Sequence, residues 1–258
     1  MKSLIKKLAN TNIGILLRNS LNFKPVSLKH SEKDYPTSVS DAFLWRTDNG
    51  YKTKFKYSDI LNLFYKIDNS WVEFHFYSKK NELIKIKRIE NLKLSNEIEI
   101  NSKYLDGLED YGVFYIFHFT ENKDNFNSKD IISNRCYVGY AQKNNLYSFV
   151  HGNSYVKFTN INDGEHILGN IIKSSLFKKY TYTIQKNFDE FDKNELIFTN
   201  PSSKIVKFTI QNKSFKVDPY CTILKELNYS IISIKSNCTF FRPTIFSYKN
   251  GYMDVHHS

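Results

Sequence analysis

The chain has 258 residues, 41% of them hydrophobic and 16% aromatic, which is enough for a folded core and too apolar for a disordered polymer. Its formal charge of +11 at pH 7 invites an anionic partner, yet almost all of that charge is lysine. Arginine occurs only at Arg18, Arg46, Arg88, Arg135 and Arg242, which argues against bidentate reading of phosphate or guanine and so against nucleic acid.

The bias towards Lys, Asn, Ile, Phe and Tyr is also what an AT-rich coding sequence produces. Cys136, Cys221 and Cys238 are odd in number and lack CxxC spacing, so they predict a reducing compartment and neither a zinc knuckle nor a disulfide framework. Apolar runs are too short to span a bilayer, and no small-residue cleavage site follows the early lysines. The expectation is a cytoplasmic protein.

In chain order, residues 2–21 read as an amphipathic helix: Leu4, Ile5, Leu8, Ile15 and Leu16 recur at helical spacing beside Lys2, Lys6 and Lys7. Residues 22–40, with Pro25 and Pro36, read as a linker. A first β unit starts at Ser38. Ala42–Arg46 is a strand, Asp48-Asn49-Gly50 a hairpin turn, and Tyr51–Tyr57 the return strand. Asp59 is placed to cap a short helical turn over Ile60–Tyr65.

Trp71–Tyr77 is the clearest strand, with Val72, Phe74 and Phe76 on one face and Trp71, Glu73, His75 and Tyr77 on the other. Further strands follow at 83–89, 97–100, 113–119, 136–141 and 146–150, with 121–134 as a long polar loop. Residues 160–177 form a boundary zone in which 167–176 reads as a helix. A second unit has strands at 180–184, 195–199, 205–210, 214–217, 222–227, 231–234, 244–248 and 252–256.

Two stretches resemble each other. K-N-N-L-Y-S-F-V-H-G-N at 143–153 and K-N-G-Y-M-D-V-H-H-S at 249–258 both run Lys-Asn, Tyr, two residues and Val-His. Ser133-Asn134-Arg135 precedes the first, and Ser236-Asn237 with Arg242 precedes the second. One β unit used twice is the reading this supports. The run F-T-N-P-S-S-K-I-V-K-F-T-I, followed by F-K-V-D-P-Y-C-T-I-L-K-E-L, resembles strand–turn–strand segments of immunoglobulin- or fibronectin-like sandwiches over residues 195–258. That resemblance implies a fold and no function. Short strands about ten residues apart with polar turns point the same way.

The expected architecture is therefore mainly β: a short N-terminal helix and linker (1–37), then two tandem, duplicated antiparallel β-sandwich domains, immunoglobulin- or fibronectin-like, at 38–159 and 160–258.

Candidate chemistry is sparse. A Gly-rich phosphate loop, a GxSxG elbow, HExxH and a dinucleotide fingerprint are all missing from the sequence. His151 and His256 occupy matching positions, as do Arg135 and Arg242. If the repeats pack about a pseudo-twofold axis, these four form the candidate catalytic set, the arginines either clamping an anion or bridging strand ends. Asp254, His256 and His151 could also hold a metal, but no HxH or HxxxH spacing supports a ligand pair, so the reading assigns no metal and no cofactor. Carboxylates at Glu73, Glu109, Asp110 and Asp254 have no spacing that fixes a glycosidase pair.

Trp45, Arg46, Trp71, His75 and Tyr77 mix flat rings with hydrogen-bonding groups, as sugar sites require. A pyranose offers C–H groups on its face and hydroxyls at its rim. The expected function is a non-catalytic binding or assembly protein whose ligand is a carbohydrate such as a surface polysaccharide, or another protein, with a homo-oligomer compatible. The alternative is an enzyme with its site at the junction of the repeats.

Overall fold

The computed structural model describes residues 11, 13, 26–30, 37–122, 131–134, 136–143, 145–152, 155–160, 179–184, 190–200, 202, 204–227, 232–238 and 241–257. The predicted helices at 2–21 and 167–176, and Arg135, lie outside this set apart from residues 11 and 13.

Strand alternation accounts for most elements. In β4 (Tyr51–Ser58) the odd-numbered Tyr51, Thr53, Phe55 and Tyr57 are buried, while Lys52, Lys54 and Lys56 face outward. In β5 (Ser70–Ser78) Val72, Phe74 and Phe76 are fully buried, as the sequence predicts. The short helix α1 (Ile60–Tyr65) starts where Asp59 accepts a hydrogen bond from the Asn62 amide, and it ends on Lys66 in the left-handed region at φ 58°.

Among the described residues the ladders form five four-stranded sheets. One joins β3 (Phe43–Arg46), β8 (Tyr111–Thr120), β5 and β6 (Leu83–Ile89) in that order. A second runs β11 (Ser148–His151), β10 (Tyr137–Gln142), β4 and β7 (Ser95–Ile100). A third runs β13 (Tyr180–Ile184), β18 (Ile232–Ser236), β15 (Val206–Ile210) and β16 (Lys213–Val217). A fourth runs β17 (Thr222–Glu226), β14 (Lys193–Thr199), β19 (Thr244–Lys249) and β20 (Tyr252–His257). These four are wholly antiparallel.

The fifth sheet, β1 (Val26–His30), β12 (Tyr155–Asn160), β2 (Thr37–Asp41) and β9 (Ile131–Asn134), is mixed, with parallel pairs β1/β12 and β2/β9.

The arrangement corrects the expected fold. The sheets are disposed as a four-bladed β-propeller, not as two tandem immunoglobulin-like sandwiches. Short, evenly spaced strands broken by polar turns are common to both architectures, so spacing cannot choose between them. Long-range packing makes the choice. The largest core cluster mixes Phe43, Phe55, Phe74 and Phe114 with Ile197, Phe246 and Val255 from the far end of the chain.

Local corrections share that cause. Asp48-Asn49-Gly50 does turn, with Asn49 at φ 52° and Gly50 at φ 75°, but β3 pairs with β8 and β4 with β10 and β7. The predicted hairpin is a crossover between sheets. Two segments read as linker and loop supply β1, β2 and β9, which gain their hydrogen bonds only from distant partners.

Candidate functional site

The sequence places its aromatic ligand residues on β3 and β5, and packing removes most of them from reach. Trp45 is 0% exposed, its Nε1 donating to the Tyr77 carbonyl at 3.0 Å. Arg46 is also 0% exposed. Its Nε and Nη2 donate to both oxygens of Asp48 at 3.0 and 2.7 Å, and its Nη1 donates to Glu195 Oε2 at 2.6 Å.

The guanidinium carbon lies 4.0 Å from the Tyr51 ring centre and 4.7 Å from that of Phe246. Tyr248 adds its hydroxyl to Glu195 Oε2 at 2.7 Å, Lys193 reaches Oε1 at 2.8 Å, and the Tyr51 and Tyr248 hydroxyls share a hydrogen bond. Burial raises the Glu195 carboxyl, but the Arg46 charge and the bonds from Lys193, Tyr248 and Arg46 outweigh it and hold the group below its ordinary range. Arg46 is therefore a buried tie between β3 and β14.

On β5, Trp71 stacks on Phe119 with centroids 5.9 Å apart, and the Arg88 guanidinium sits 4.0 Å from its ring centre. His75 is buried, its Nε2 3.0 Å from Glu73 Oε2, and its ring meets Phe117 edge-on. The His75 hydrogen bond is the main reason Glu73 titrates below the usual carboxylate range. Tyr77 packs edge-on against Tyr115. This face is a second packed layer.

The matched histidines have a different fate. Asn145 Nδ2 donates to the Gly251 carbonyl at 3.1 Å, and the Val255 amide donates to Ser148 Oγ at 3.0 Å. These contacts lay β11 beside β20 in the same direction, so the two similar stretches lie side by side and lead His151 and His256 towards the same end. Ser148 Oγ donates to Asp254 Oδ1 at 3.0 Å, and His256 Nδ1 lies 3.6 Å from Asp254 Oδ2, so the carboxylate separates hydroxyl from imidazole. Arg242 is drawn to another sheet, its guanidinium 5.1 Å from the Tyr182 ring centre. Among the described residues no group of three His, Cys, Asp or Glu side chains is placed to hold a metal.

What the structure exposes, and sequence reasoning missed, is the outer face of the β11–β10–β4–β7 sheet. Residues opposite one another across antiparallel strands share a face, so the register reads directly as rows. One row is His151, Tyr137, Lys56 and Glu97; the next is Phe149, Gly139, Lys54 and Glu99. Tyr137 is 53% exposed and Phe149 38%. Tyr137 and His151 rings lie 4.3 Å apart, and Tyr147 sits 6.1 Å from Phe149. Tyr147 also donates to Glu99 Oε2 at 2.8 Å.

Gly139 makes the platform possible, since a Cβ there would meet the Phe149 ring at 2.5 Å. The ring lies on the bare backbone. Lys56 and Lys54 ammonium groups stand 5.0 and 4.8 Å from the Phe149 and Tyr147 ring centres, and Lys54 also pairs with Glu97 at 3.3 Å. Such exposed pairs are weak and exchangeable, so a ligand can displace them. A Tyr-x-Gly strand beside a Tyr-x-Phe-x-His stretch is the signal that could have pointed here, but only the pairing register joins the two.

The chain matches no family model, and no curated protein matches it either. No helix among the described residues is long and apolar enough to cross a membrane.

Proposed function

We propose that this protein is a non-catalytic binding protein whose ligand is a carbohydrate chain lying across the outer face of β11, β10, β4 and β7. The observation that carries the proposal is the cluster of rings formed by exposed Tyr137 and Phe149 and half-buried Tyr147, bordered by Lys54, Lys56, Glu97 and Glu99. Rings of this kind offer apolar area to the C–H face of a pyranose. The adjoining ammonium and carboxylate groups supply donors and acceptors for its hydroxyls.

Binding is favoured over turnover because the exposed carboxylate of Asp254 stands between Ser148 and His256. The enzyme reading retains the co-directional β11 and β20 strands as its support, and it predicts glycan cleavage that disappears in His256→Ala.

The test is affinity electrophoresis and a glycan array with the wild type, Tyr137→Ala and Phe149→Ala. Each substitution should weaken binding about tenfold, or about 1.4 kcal/mol, with an unchanged melting temperature. A wild type that binds nothing on the array, or variants that bind equally well, would overturn the proposal.

A further inference from the structure

The sheet β13–β18–β15–β16 turns Ile184, Ile232, Ile234, Val206, Phe208 and Ile210 towards a core that it shares with β14 and β19. Its other face is different. The register places Lys207 opposite Lys216, and Thr209 opposite both Ser214 and Lys235. The four strands, YTYTI, ISIKS, VKFTI and KSFKV, carry no carboxylate. Together with Lys179 and Asn237, this face lines a groove of about 480 Å³.

Like charges directly opposite on a sheet are destabilising. Asp218 lies 3.8 Å from Lys216, with both groups well exposed. An ion pair so solvated contributes little and exchanges readily. The groove thus concentrates positive charge that the described residues leave largely uncompensated, beside the hydroxyl groups of Thr209 and Ser214.

We infer that this groove is a second binding site, selective for an acidic polysaccharide bearing carboxylate or sulfate groups. Lys179, Lys207, Lys216 and Lys235 meet the anionic substituents. Thr209 and Ser214 meet neutral hydroxyls and ring oxygens. A single-stranded nucleic acid fits less well: stacking needs exposed rings, and base recognition prefers arginine. Phe208 is buried, Phe215 is half-buried under Lys225, and no arginine lines the groove. This site stands independently of the aromatic face, because it draws on different strands and on charge.

The test uses the full chain with a heparin oligosaccharide as probe, titrated by calorimetry at several salt concentrations. A dT oligonucleotide of equal charge serves as comparator. Lys207→Gln/Lys216→Gln should lose at least about tenfold in heparin affinity and show a shallower salt dependence, since fewer counterions are released. A double substitution at Lys80 and Lys87, which are exposed elsewhere, should leave affinity within about twofold. Thermal melts establish that each variant is folded. The inference is overturned if the groove variant binds as the wild type does, if the control variant loses as much, or if the oligonucleotide binds as tightly as heparin.

Discussion

Arg46→Met removes the cation that ties β3 to β14 while keeping an unbranched side chain in place. Glu195 would keep Lys193 and Tyr248 as partners, but it would lose the 2.6 Å bond from a buried guanidinium. Removing one partner of a buried pair costs about 3–5 kcal/mol. Asp48 retains 19% exposure and can recover water, which places the expected loss at the lower end, about 3 kcal/mol. For a chain of this size that corresponds to a fall in Tm on the order of 6–12 °C.

Glu195→Gln should cost less, because Arg46 keeps both Asp48 contacts. The double variant should be more stable than the sum of the single losses, since the two groups couple. Urea unfolding followed by tryptophan fluorescence measures all three. Because the folded pKa of Glu195 is depressed, its contribution is present above about pH 4.5 and is lost as pH falls through the folded value. Glu195→Gln should therefore flatten the acid limb of the stability profile. A loss below about 1 kcal/mol in Arg46→Met, with the acid limb unchanged in Glu195→Gln, would refute the view that this buried tie holds the two parts of the chain together.

Gly139→Ala should push the Phe149 ring off the sheet, because the added Cβ meets that exposed ring at 2.5 to 2.7 Å. Stability should change by less than about 1 kcal/mol while binding to the aromatic face is lost, which melting curves paired with affinity electrophoresis can separate. His118 is fully buried, with Nδ1 2.6 Å from Asn134 Oδ1 and Nε2 3.0 Å from the Ser58 carbonyl. Burial lowers its pKa more than Asn134, Asp59 and Ser58 raise it, so the folded group titrates below the ordinary histidine value. The unfolded chain then binds the extra proton, and stability should fall as pH drops below about 6.5; histidine NMR titration and pH-dependent melts of His118→Gln check this.

The sequence by itself determined many of the elements and their faces, though not β1, β2, β9 or β12. The alternation in β5, the bounds of β6, the Asp59 cap and the strand character of β13 to β20 all follow from side-chain period and turn chemistry, which are local. It also exposed the similarity of 143–153 to 249–258, which the structure lays side by side through Ser148 and Val255. Which strands pair was decided only in three dimensions. Trp45 and Arg46 look like a ligand platform as a dipeptide, yet β8, β14 and β19 bury them. Tyr137, Gly139 and Phe149 carry no joint signal until the β10/β11 register sets one ring over the glycine. The reason is physical: hydrophobic period fixes which side of a strand is apolar, whereas the choice of partner depends on burial summed over the whole chain, and a propeller and a sandwich satisfy the same local rules.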